Sequence, residues 1–310
     1  MIRGLAAAGL LALALAAPGC GGSDEASPPP PGTVRVGEFS WSSASLTNEI
    51  LAQIVERHPE LGVRRLERRR VEPEEGWDDL ADGRLDLLTE VYLPNQAEFL
   101  ESSGEDTELV HRVYAGAVNG WFVPSYVVAP DGPAAGLRSV DQLRRYADVF
   151  DREFYDGEDG WVTTEWNAER IDGFGLDLEQ HTGSESELIG ALRRAYDARR
   201  PVLLYLWRPH WAHSAFDLVM LDEPNGYSVD CFTGDRKACA MPTNDSWTAG
   251  RIDLGTRLPA FRQFLGRFEI DLGEMERMLL QVDERGTPAD VVARRWLDRH
   301  TAEVEAWIGT

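Results

Sequence analysis

Val34-Arg35-Val36-Gly37-Glu38-Phe39 opens the stretch whose reading decides the fold, and Leu85-Asp86-Leu87-Leu88-Thr89-Glu90-Val91-Tyr92-Leu93 closes it. The first run reads as a strand. After it Leu46, Ile50, Leu51, Ile54 and Val55 recur at helical spacing, and Pro59 stops the helix. Val63 to Val71 is a second extended segment despite its arginines, and Glu74 to Asp82 is a short helix ended by Gly83. The closing run is an apolar strand. Strand–helix–strand–helix–strand in one short stretch predicts a parallel α/β sheet with right-handed crossovers.

The pattern restarts downstream. Ser139 with Gln142 forms a capping box for a helix to about Asp148, and Ser184 with Glu187 forms another. The second helix turns Leu188, Ile189, Leu192 and Ala195 to one side. Pro201 then leads into Val202 to Trp207, a buried strand. From Leu258 onward three helical stretches follow: Leu258 to Phe268, Asp271 to Val282, and a Thr287-Pro288 start running to His300. Two α/β units and a helical end with no sheet of its own predict two lobes, with the last helices returning to the first. The expected division is residues 33–121 plus 241–310 for lobe I and 122–240 for lobe II. In such sheets ligands sit at strand carboxyl ends, and between two lobes the natural site is the cleft.

The amino-terminal end predicts export. Met1-Ile2-Arg3, the uncharged run Gly4 to Ala17 and Pro18-Gly19-Cys20 have the layout of a lipoprotein signal over residues 1–20, with Cys20 as the lipidation site. The apolar run is shorter than the roughly 20 residues a spanning helix needs. An ordinary cleaved signal with an incidental Cys20 is the weaker alternative, although Ala17 fits the lipoprotein pattern less well than Leu. Residues 21–32, with Pro28 to Pro31 inside them, read as a stiffened tether. The chain holds three cysteines; besides Cys20 there are Cys231 and Cys239, close in sequence and expected to form a disulfide in an oxidising compartment. The formal charge of −22 makes nucleic acid an unsuitable partner.

Catalytic motifs are missing from the sequence: there is no Gly-x-Ser-x-Gly elbow, no Walker loop, and no Gly-x-Gly-x-x-Gly after the first strand. His210 and His213 have the spacing to share a metal but bring no third ligand, so neither a metal nor another cofactor is expected. The positive feature is aromatic. Of ten tryptophans, Trp41 follows the first strand and Trp207 ends the Val202 strand, while Tyr92 ends the Leu85 strand and Trp161 lies in the turn after Asp156. Trp77, Trp296 and Trp307 read instead as helix packing. Ring faces attract a desolvated cation, and a quaternary ammonium has no N–H to offer a carboxylate. At roughly 0.5–2 kcal/mol per ring, several rings supply much of the roughly 8 kcal/mol of micromolar binding.

With these residues in view, the sequence resembles the glycine betaine/proline betaine substrate-binding proteins of ABC importers, a family that includes choline and carnitine binders. The likeness runs from about Val34 to Trp307 and is most specific at Val202-Leu203-Leu204-Tyr205-Leu206-Trp207-Arg208-Pro209-His210-Trp211. Leu80 to Asp86, Tyr92-Leu93-Pro94, Val123 to Tyr126 and Asp156 to Trp161 support it. The resemblance implies ring positions at Trp207, Trp161 and Tyr92, with Trp41 near a ring of the choline-type members. It also implies backbone donors at Val162 and Thr163 for a ligand carboxylate, in keeping with amides entering a helix. Gln96 aligns with a histidine of some members and offers only a neutral hydrogen bond. The family's Gly-Trp-Gly-Cys turn is Gly160-Trp161-Val162-Thr163, Glu158 and Asp159 add negative charge beside it, and Ser43 stands where choline-type relatives carry an acid. The implied partners are a small quaternary amine and an ABC permease, with the membrane reached through the lipid anchor alone. The rival expectations are a receptor of the same fold for an unrelated solute, which would be indifferent to loss of Trp207, and an exported enzyme, which would turn over a substrate.

Overall fold

A computed structural model of the chain describes residues 30–234 and 237–309. Cys20, the signal stretch and residues 21–29 of the tether lie outside the described residues. The strands are β1 (Thr33–Glu38), β2 (Arg65–Arg70), β3 (Leu87–Leu93), β4 (Thr107–Ala117), β5 (Asn119–Pro124), β6 (Glu153–Tyr155), β7 (Glu179–His181), β8 (Leu204–Trp207), β9 (Leu218–Met220) and β10 (Asn244–Arg251). They form two five-stranded sheets, ordered β2-β1-β3-β10-β4 and β7-β6-β8-β5-β9.

Each sheet is parallel on one side and antiparallel on the other. In the first, β2, β1 and β3 run parallel, and β10 then pairs antiparallel with both β3 and β4. The parallel β2-β1-β3 unit expected from the sequence is present, and β10 and β4 extend it antiparallel into a mixed sheet. β10 reads Asn-Asp-Ser-Trp-Thr-Ala-Gly-Arg, which has no apolar alternation. It is a strand because neighbours on both sides accept and donate its backbone hydrogen bonds, and Ser246, Thr248 and Asn244 are buried there. The chain leaves the first sheet at Val118: Asn119, Gly120 and Trp121 already pair with β8, ahead of the expected boundary at 121.

The helix Ser42–Arg57 buries Leu46, Ile50, Leu51, Ile54 and Val55 against the first sheet. The carboxy-terminal helices return to this lobe, and the helix Ala289–Arg299 packs on Ser42–Arg57. Phe261, Phe264, Phe268 and Trp296 fill the space between them. The capping box at Ser139 and Gln142 is present, but it opens two 3₁₀ turns, Val140–Arg145 and Ala147–Phe150, instead of an α-helix. Val140 with Leu143, and Ala147 with Phe150, are buried at intervals of three, the repeat of a 3₁₀ turn. The box at Ser184 and Glu187 caps the helix Glu185–Asp197. Cys231 and Cys239 are joined as a disulfide, with Cα atoms 6.4 Å apart.

Candidate functional site

β1, β3 and β8 all deliver their last residues to the space between the sheets. Trp41 precedes the helix Ser42–Arg57, Tyr92 lies near the end of β3, and Trp207 ends β8. Trp161 is the residue before the helix Val162–Phe174, whose N-cap has no side-chain hydrogen bond. These elements enclose a cavity of about 60 Å³. Trp41, Tyr92, Gln96, Trp161, Val162, Thr163 and Trp207 all line it, so every ligand-contact residue expected from the sequence meets at one place.

The rings stand as walls. Trp41 and Trp161 meet at 88° with centroids 5.7 Å apart, and Trp161 and Trp207 meet at 82° and 5.1 Å. Tyr92 lies edge-on to Trp41 at 5.8 Å, and Tyr205 stacks on Trp207 at 5.8 Å. Perpendicular rings at such separations share a corner in which one point lies within about 6 Å of both centroids, the range over which a cation is attracted. Gly157 makes room for one wall: a Cβ there would sit 2.4 Å from a Trp161 ring carbon.

Buried polar groups hold the walls from behind. On the first lobe the Glu90 carboxylate accepts from Trp41 Nε1 at 2.9 Å, Ser43 Oγ at 2.6 Å, Thr47 Oγ1 at 2.5 Å and Tyr92 OH at 3.4 Å. A bulge aims it there. Val91 pairs with Trp247 and Leu88 with Ala249, so Thr89 and Glu90 together oppose the single residue Thr248, and Glu90 takes φ 59°. On the second lobe Asp156 accepts from Gly157 N at 2.7 Å, from Asn167 Nδ2 and from Gln180 Nε2, which ties down the turn carrying Trp161. Burial pushes the pKa of both carboxyls up to about 7, against the pull of their hydrogen bonds.

Gln96 is anchored through its amide oxygen, which leaves the amide nitrogen as the donor the sequence reading expected of it. Its Oε1 accepts from Trp77 Nε1 at 2.9 Å, so one end of the side chain is already committed to the lobe. Asn95, Asn119 and Asn244 also line the cavity, and each has a buried side-chain oxygen with no partner. Sequence reading passed over these three, together with Tyr205, Arg208 and Glu90. A glutamate inside an otherwise apolar strand was a signal for the last; the asparagines carried none. Arg208 is held by Glu276 at 2.6 Å through two of its nitrogens.

Several contacts cross between the lobes. Trp161 Nε1 donates to Ser40 Oγ at 2.8 Å, and the Ser42 N–H and hydroxyl donate to Glu185 at 2.8 and 2.9 Å. His210 and His213 are engaged by separate partners. Its Nδ1 accepts from Ala212 N at 3.0 Å and its Nε2 lies 3.0 Å from Glu185, while His213 Nε2 lies 3.0 Å from the Trp207 carbonyl. Among the described residues no group of three His, Cys, Asp or Glu could hold a metal.

A family model described as the substrate binding domain of ABC-type glycine betaine transport system matches residues 32–299. The glycine betaine/carnitine transport binding protein GbuC of Listeria monocytogenes is 25% identical over 126 residues, which are 41% of this chain and 38% of that protein. The match thus spans well under half of the curated relative's length. Lactococcal OpuAC, in its closed-liganded conformation with glycine betaine, superposes with a TM-score of 0.75 at 20% identity, covering 89% of this chain and 99% of that one. A choline binding protein of an ABC transporter, in complex with choline, superposes with the same TM-score of 0.75 at 18% identity, covering 89% and 91%. At these identities the superpositions establish a shared two-lobed fold.

Proposed function

Given that this chain belongs to the family of substrate-binding domains of ABC-type glycine betaine transport systems, we propose that its cavity takes a quaternary ammonium ligand: glycine betaine, or proline betaine, carnitine or choline from the same class. The observation that carries this reading is the corner of near-perpendicular indoles, Trp41, Trp161 and Trp207, closed on one side by Tyr92. Such a corner desolvates a cation against ring faces without needing to hydrogen-bond it.

The remainder of the ligand has partners nearby. The Val162 and Thr163 N–H groups begin a helix with no side-chain cap, which suits a carboxylate, and the three asparagines offer neutral amides. Walls from both lobes touch one ligand only when the lobes are together, so binding favours the closed form. That form then docks on the importer's permease.

The family works outside the cytoplasmic membrane, and no helix among the described residues is long and apolar enough to cross one. The lipobox at Cys20 supports attachment through an acyl chain. Cys20→Ser should move the exported protein from the membrane fraction to the soluble one; unchanged partition would remove the anchor from the reading. The ligand class is tested by calorimetric titration with glycine betaine, proline betaine, carnitine and choline. Saturable micromolar binding to at least one is expected, and silence toward all four would leave a receptor for another solute.

A further inference from the structure

Behind the Trp41 and Tyr92 walls lies a carboxylate with no cationic partner among the described residues. Glu90 is fully buried, and the groups acting on it, Trp41, Ser43, Thr47 and Tyr92, are neutral donors. A glutamate with φ 59° occupies a backbone region few non-glycine residues use, and here the bulge in β3 turns its side chain toward the cavity's ring wall. A buried carboxylate held by several donors stays available in its charged form but lacks a balancing charge. Glu90 does not itself line the cavity, but two of its donors, Trp41 and Tyr92, do, so a cation held against those rings would face it across the ring wall.

We propose that ionised Glu90 is the counter-ion of the bound quaternary head and a positioning residue for the Trp41 and Tyr92 walls, and that it biases the cavity toward ligands of net positive charge over zwitterions. This rests on the quaternary-amine reading of the same site. Donation of the indole N–H to a carboxylate enriches the ring face that meets the cation, and the charge adds direct attraction across a water-poor space. For choline both effects are favourable. For a betaine the same charge repels the ligand carboxylate, so much of the gain cancels.

Protonation tests the idea without altering the shape of the site. Burial pushes the Glu90 pKa to about 7, and a bound cation favours the ionised form, so choline binding below that pH must expel a proton. Tyr92 is the one titratable side chain among the groups acting on Glu90, and burial holds its phenol well above the range concerned. Asp156 and Asp283, raised to about 7 and about 6 on other elements, remain in a Glu90→Gln variant, and so their effects cancel in the comparison.

Wild type and Glu90→Gln are titrated with choline and with glycine betaine at pH 6 and pH 8, where neither ligand changes charge. The wild-type choline Kd should rise up to about tenfold on going to pH 6, with a smaller change for glycine betaine. At pH 8 the variant should lose about tenfold in choline affinity, less for glycine betaine, and should show a flattened pH response. A role confined to holding the rings would weaken both ligands equally and leave their ratio independent of pH, which overturns the proposal. If the variant does not fold, the wild-type series is read beside an Asp156→Asn control: a choline-to-betaine ratio that keeps its pH dependence there upholds Glu90, and one that loses it overturns the proposal. Binding with an unshifted ratio removes this inference alone, whereas failure of the wild type to bind either ligand removes the parent reading with it.

Discussion

Glu90 and Glu185 are buried glutamates with opposite fates. For Glu90 burial dominates and raises the pKa to about 7. For Glu185 burial also raises it, but His210 and the Ser42 N–H and hydroxyl outweigh that and hold the carboxyl below its ordinary range. The His210 ring is placed to do so because its Nδ1 accepts a backbone N–H, leaving Nε2 to carry a proton toward the glutamate. Trp207 shows the residue scale in apolar form: it touches Trp161, Tyr205 and His210 and ends the strand that carries it. Trp207→Ala should raise the Kd for the bound quaternary amine by roughly 10- to 100-fold, since one ring contributes up to about 2 kcal/mol and its loss admits water. Calorimetry on the variant, with circular dichroism to confirm the fold, checks this; an unchanged Kd would take Trp207 out of the site.

At the scale of elements, the decisive pieces are strand ends and the turns that follow them. The turn Asp156–Trp161 is held by one carboxylate that bonds its own Gly157 N–H and two amides from elsewhere in the lobe. Gly157 is required there because a Cβ would meet Trp161 ring carbons at 2.4 and 2.7 Å, well inside contact distance. Gly157→Ala should therefore tilt the Trp161 wall and break its hydrogen bond to Ser40, weakening ligand binding by about tenfold or more with a smaller effect on Tm. Titration beside a thermal melt separates the two effects; equal affinity would mean the indole shifts without consequence. The bulge in β3 belongs to this scale as well, since one extra residue in the strand decides which way Glu90 points.

For the whole molecule the dominant fact is acidity, with a formal charge of −22. Burial lifts Glu90 and Asp156 to about 7 and Asp283 to about 6. Their folded pKa values lie above the unfolded ones, so the folded state keeps protons that the unfolded chain releases between about pH 4 and 7. Stability contributed by these groups is present at the acidic end of that window and is lost as pH rises through it. Mutual repulsion of the surface acids acts in the same direction. Glu185 and Glu274, held below their ordinary range, oppose the trend only in stronger acid, whereas His213, whose pKa burial lowers to about 4, offsets part of it within the window without matching the three carboxyls together. The ligand-free protein should thus melt on the order of 5 °C higher at pH 5.5 than at pH 8. A calorimetric pH series with the reverse order would show that these carboxyls are less buried in solution.

The sequence by itself determined the local elements: the Val34 and Leu85 strands, the helix stopped by Pro59, the capping box at Ser184, and the aromatic residues at strand ends. Each is written in side chains a few residues apart, where periodicity and capping act. The strands β4, β5, β6, β7, β9 and β10 were not legible; β10 is polar and owes its extended form to partners on β3 and β4 far away in the chain. The 3₁₀ turns after Ser139 escaped for a related reason, since burial at intervals of three outweighed a helical start. In the site, the rings could be named one at a time, but their near-right angles follow from two sheets meeting. Glu90 stood in plain view within β3. Only the tertiary structure made it a group behind the ring wall, because a bulge set by pairing with β10 turned it there and the helix Ser42–Arg57 supplied its donors.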